Sequence, residues 1–103
     1  MKLEFASGGG IQKIFLKNFG PNRRAFKIKS TNNLNYRFNV VYGYMESLTM
    51  FPVEVHRYAG HASTDKLVIQ FKEIASTLQL DQLREIFKTV TDIQETTIPL
   101  LAL

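Results

Sequence analysis

Cysteine is absent from this chain, so neither a disulfide framework nor a thiolate-bound metal site can form. A small β-rich domain that does without disulfides fits a reducing compartment, and the expected location is cytoplasmic. No stretch approaches the roughly 20 apolar residues of a membrane-spanning helix, so direct membrane insertion is not expected. The opening MKLEFASGGG has no apolar run of the secretory-signal kind. Basic residues are not gathered into long runs: 13 Lys and Arg against 9 Asp and Glu leave a formal charge of +4. Such a surface suits an anionic partner, and it equally suits plain solvation.

Catalytic patterns are missing too. Gly8-Gly9-Gly10 is followed by no GK[ST] and opens no helix, so it is read as a connection rather than a phosphate loop. None of Ser7, Ser30, Ser47, Ser63 and Ser76 has a GxSxG setting. His56 and His61 are the only histidines and form no HExxH pattern, so they are read as surface residues rather than ligands or bases. Asp81 and Glu85 stand four apart on a helical pattern, where capping and solvation explain them better than acid–base work. Tyr36, Phe38, Tyr42 and Tyr44 cluster with Arg37 but alternate with polar residues, so most are expected in a core and not on a nucleic-acid platform. The expectation is a non-enzymatic protein with no catalytic residue, cofactor or metal, and no nucleic-acid partner.

What is present is alternation. The 103 residues, 45% apolar and 21% charged, suffice for one folded domain, residues 1–103. In RAFKIKSTNN, Phe26, Ile28 and Ser30 fall on one side of a strand while Lys27, Lys29 and Thr31 fall on the other. Asn32 and Asn33 stop it. Tyr36 and Phe38 then alternate with Arg37 and Asn39, and Gly43 is read as a break. Residues 65–72 repeat the pattern, with Leu67, Ile69 and Phe71 opposite Lys66, Val68 and Gln70. Further strands are expected at residues 2–5, at an edge, and at 11–18, with Ile14 and Leu16 inside. Another is expected at 49–57, with Phe51, Val53 and Val55 inside and Pro52 near an edge or strand start. Residues 7–10 read as a flexible turn, 20–22 as a hairpin-like connection, and 96–103 as a β segment interrupted by Pro99. Leu80, Leu83, Ile86, Phe87 and Val90 recur at helical spacing, predicting one short helix near 80–89 that lids one end of a sheet. Together these predict an all-β, seven-stranded antiparallel sandwich.

AFKIKSTNN, NYRFN, YGYME and DKLVIQF occur in fixed order, with Arg57-Tyr58-Ala59-Gly60 as an RxAG element between the last two. The combination resembles the major sperm protein (MSP) domain family, and most closely its small single-domain nematode sperm-specific members, over essentially the whole chain. Val40 and Ser47 stand where that family usually has prolines.

The resemblance implies an immunoglobulin-like β-sandwich, no catalysis, and work through protein contacts. It implies partners in the sperm cytoskeleton that drives amoeboid motility: MSP filaments or their accessory factors. The alternative it offers is an adaptor for short acidic, aromatic-containing peptides, as in the VAMP-associated proteins. By that likeness the protein-binding face is Lys27, Lys29, Thr31, Lys66 and Val68, on two strands that neighbour one another in one sheet. The strand pattern independently turns all five outward. A homodimer or self-assembling structural protein is a further expectation, through an exposed strand edge.

Overall fold

Alternation in the chain becomes alternation in burial. A computed structural model describes residues 1–74, 80–89 and 91–103, and among these eight strands form two sheets. β1 (Leu3–Phe5), β3 (Arg24–Ser30), β5 (Tyr42–Met45), β7 (Ser63–Glu73) and β8 (Gln94–Ala102) build a five-stranded sheet in the order β1-β8-β7-β3-β5. β2 (Gly9–Asn18), β4 (Tyr36–Phe38) and β6 (Thr49–Tyr58) build a three-stranded sheet in the order β2-β6-β4. Phe26, Ile28, Leu67, Ile69 and Leu100 from the first sheet meet Ile14, Leu16, Tyr36, Val53 and Val55 from the second, all buried. Each such side chain contributes about 1.5–3 kcal/mol by leaving water.

The sandwich is the expected one, with differences of detail. It has eight strands rather than seven, and one pair is parallel: Leu3 lies opposite Leu100 and Phe5 opposite Ala102. The turn after β1 is shorter than residues 7–10, because Gly9 and Gly10 already pair with Tyr58 and Arg57. Gly9 has φ +118°, and a Cβ there would lie 2.9 Å from the Arg57 carbonyl oxygen, so the position needs glycine. Residues 20–22 close no hairpin. They carry the chain across from β2 in one sheet to β3 in the other. Gly43 is no break but an inner residue of β5, where a Cβ would come within 2.5 Å of the Phe26 ring.

Both strand prolines follow one rule. Pro52 lies within β6, opposite Phe15 of β2, but β4 pairs with β6 only at residues 55–57. Pro99 lies within an uninterrupted β8, opposite Lys66 of β7, while β1 begins its pairing only at Leu100. Each imide therefore sits where its strand has a neighbour on one side only, which is where a missing N–H is tolerated.

The helical pattern yields a 3₁₀ turn, Leu80–Gln82, and then α1 (Leu83–Thr89), with Leu83 fully buried. Val90, the last residue of that pattern, lies outside the described residues. Of the two positions where prolines were expected, Val40 packs half-buried against the core, and the Ser47 hydroxyl donates to the Gly20 carbonyl at 2.7 Å.

Candidate protein-binding face

β3 and β7 run antiparallel with Lys29 opposite Val68 and Lys27 opposite Gln70. Directly opposed residues share a face, so these four side chains stand together on the outside of the five-stranded sheet. At the strand end the backbone N–H of Thr31 donates to the Lys66 carbonyl at 3.0 Å, and the N–H of Lys66 donates to Thr31 Oγ1 at 3.0 Å. The structure thus brings Lys27, Lys29, Thr31, Lys66 and Val68 to one surface. Lys29, Thr31 and Lys66 are exposed, and Lys27 and Val68 half-buried.

The charge on this surface is uncompensated. Among the described residues none of the three ammonium groups has a carboxylate within ion-pair distance, and Lys27 Nζ rests 5.4 Å from the centre of the Tyr42 ring. Farther along the same face Lys72 is paired, 2.8 Å from Asp92. That contact lowers the Asp92 pKa from its ordinary 3.8, chiefly through the hydrogen bond from Lys72 and then through one from its own backbone. The helix lies against one part of this face. Phe87 lies 6.1 Å from the Tyr42 ring and the Arg84 guanidinium 5.7 Å from it, while the outward Ala25 is fully buried. The helix therefore packs over Tyr42, while Lys29, Thr31 and Lys66 stay exposed.

The open part is held by a polar network rather than by the lid. Asp65 Oδ2 accepts from Ser63 Oγ at 2.8 Å and from Asn32 Nδ2 at 3.1 Å, and Asn32 Oδ1 accepts the N–H groups of Leu34 and Asn35. Arg57 of the RxAG element is buried and donates to the His61 carbonyl at 2.8 Å. These bonds fix the loop between β3 and β4 against the loop between β6 and β7, and so fix Thr31 and Lys66. Beside Lys27 and Lys29 a groove of about 330 Å³ opens toward Val41, with Arg37 adding a further cation.

Three residues on or beside this face escaped the sequence. Tyr42 and Tyr44 are half-buried and outward, not core, because Gly43 is the inward residue of β5. Tyr44 stacks under the Arg23 guanidinium, 4.4 Å from the ring centre. Arg37 was read only as the polar partner of an aromatic alternation. The signal available for Tyr42 was its place one residue from a glycine that the core needs. Elsewhere His56 Nε2 lies 3.1 Å from Glu54 Oε1 and His61 is exposed. Among the described residues no three His, Asp or Glu side chains gather as a metal site would require.

Two sheets closing on a common core, joined by connections that cross between them, define an immunoglobulin-like β-sandwich domain. Within that class the chain belongs to the MSP (major sperm protein) domain family, whose model matches residues 1–92. The solved structure of SSP-19, an MSP-domain protein like family member in Caenorhabditis elegans, superposes with a TM-score of 0.89 at 30% identity, covering 98% of this chain and 92% of that one. A second solved C. elegans MSP family member superposes with a TM-score of 0.91 at 27% identity, covering 99% and 92%. Among curated sequences, sperm-specific class P protein 31 of C. elegans is 39% identical over 71 residues, 69% of this chain and 66% of that protein. The next relatives, class P proteins 32 and 34, are likewise spanned over 65% of their length.

Proposed function

We propose that the chain is a non-enzymatic, cytoplasmic interaction protein of the nematode sperm cytoskeleton, a component or regulator of MSP assemblies. The observation that carries this reading is the uncovered basic face: Lys29 and Lys66 exposed without acidic partners among the described residues, with half-buried Val68 between them. Unpaired cations on a rigid strand pair steer an acidic surface and then hydrogen-bond to it with charge assistance. The sperm setting is supported by the class P relatives, which carry it in their names.

The same face favours a second reading, an adaptor for short acidic peptides containing aromatic residues. Val68 then supplies an apolar contact of about 1 kcal/mol between the lysines. A third reading, self-assembly, draws on the exposed Phe15 and Met50 outside the three-stranded sheet. A residue-resolved NMR titration separates the first two, done once with MSP and once with an acidic, aromatic-containing peptide. Saturable shifts of Lys27, Lys29, Thr31, Lys66 and Val68 with the peptide select the adaptor, and Lys29→Glu should then weaken binding roughly tenfold without changing the melting temperature. Shifts with MSP alone select the cytoskeletal role. Binding of either partner that ignores Lys29→Glu removes this face from the account. Sedimentation showing a plain monomer at high concentration removes self-assembly.

A further inference from the structure

The side of the sandwich between β2 and β8 is only half closed. Where β1 is present, Leu3 and Phe5 fill the seam and are buried, with Glu4 between them exposed. β1 pairs with β8 only at residues 100–102, so from Gln94 to Pro99 β8 has β7 on one side and no strand on the other among the described residues. β2 is likewise the outer strand of its sheet. Between these two free edges lies a cleft of about 260 Å³ whose walls are Ile14, Leu16, Phe26, Ile69, Phe71 and Ile98. Met1 reaches its mouth and stays exposed. Among the described residues the lining includes two cations, Lys17 and Arg24, and no carboxylate. Lys17 is exposed and has no ion-pair partner among the described residues.

We propose that this open half-seam is a strand-docking groove for an extended segment of a partner protein, lying beside β8 in line with β1. The segment carries apolar side chains at alternate positions, which enter the cleft, and a carboxylate near them, which meets Lys17 and Arg24. β1 supplies the argument for the occupant: the protein closes the other half of the same seam with a strand of this kind, apolar inward and acidic outward. A docked strand satisfies the free backbone groups of β8 while its alternate side chains give specificity. Basic groups at the rim select the charge. The surface is separate from the Lys29–Val68 face, so the two stand or fall independently.

The test is an NMR titration of the isotopically labelled full chain with an end-capped ten-residue peptide in which leucine alternates with threonine and glutamate. Saturable shifts are expected at the methyl groups of Ile14, Ile69 and Ile98, together with slowed amide exchange along residues 94–98. Replacing the peptide's glutamates by lysine should weaken binding roughly tenfold, and Lys17→Glu in the protein should reverse that preference. Lys17→Gln serves as the milder variant should the reversal disturb folding. Four results would overturn the proposal. One is equal binding of a peptide of the same composition with its leucines grouped. Another is shifts confined to Lys29 and Val68. The third is movement of the cleft methyls with protein concentration alone, which assigns the seam to a second copy. The last is decanoate occupying the cleft where the peptide does not.

Discussion

At one end of the sandwich Asn18 is wholly buried and both polar atoms of its side chain are used; at the other Arg57 is nearly as buried and its Nε has no partner among the described residues. The Asn18 amide donates to the carbonyls of Asn22, Met45 and Glu46 at 2.8–3.2 Å, and its oxygen accepts the Gly20 N–H at 3.0 Å. It ties the β2–β3 crossing to the end of β5 through backbone alone. Arg57 donates to one carbonyl and, at 3.4 Å, to the Ser63 hydroxyl, and it lies 5.0 Å from the centre of the Tyr36 ring. A neutral amide with all its bonds made costs nothing further to bury. A buried cation held by dipoles and a ring has still lost its hydration. The ends look alike in burial and differ in what removing the side chain should do.

The largest expected effect is at Asn18. Asn18→Leu keeps the volume but strands several buried backbone groups at once, and it should cost about 3 kcal/mol in denaturant unfolding. Arg57→Met should cost about 1 kcal/mol or less, since an apolar side chain of similar length relieves the desolvation and the exposed loop at His61 can turn its carbonyl to water. Equal losses for the two variants would erase the distinction between the ends.

Leu48 sharpens the contrast from the Asn18 side. It sits in the tight connection between β5 and β6 with φ 59°, exposed and left-handed. Leu48→Gly should therefore raise stability by roughly 0.5–1 kcal/mol, read as a higher melting temperature. A fall would mean the turn draws more from the leucine than its backbone loses. The smallest effect belongs to Asp92. Its carboxyl is held below 3.8 by Lys72, so whatever the pair contributes is fully present above 3.8 and is lost as pH falls through the folded-state value. Exposed pairs are worth little. Melting of Asp92→Asn compared with the parent chain should differ slightly near neutrality and converge in acid, and divergence in acid would reverse the assigned sign.

The sequence was legible where one strand decides its own pattern. Phe26 and Ile28, or Leu67 and Ile69, alternate with polar residues, and two-residue periodicity needs no partner to be read. The five residues of the basic face were turned outward by that alone. Who pairs with whom was not legible. Residues 20–22 have the composition of a hairpin turn, yet β2 pairs with β6 across its whole length, a choice made between distant segments. Glycine misled twice for the same reason. Gly9 and Gly43 look like punctuation, but their small size is required by the Arg57 carbonyl and the Phe26 ring, which come from elsewhere in the chain. Asn18 and Arg57 were likewise invisible as buried groups, because burial of a polar side chain is decided by loops that fold over it.

The parallel pairing of Leu3 with Leu100 bears on how the molecule is made. β8 lies between β1 and β7, so during synthesis β1 has no sheet to join until β8 has emerged. Local contacts cannot nucleate that pairing, and closing so long a loop must be paid before any bond repays it. The pairing of β1 with β8 is therefore expected to form late, after β8 has paired with the nearer β7. Completion on the order of milliseconds to seconds, as for other all-β topologies, is the expected pace. Until then the edge of β8 at residues 100–102 stands open to whatever strand arrives first.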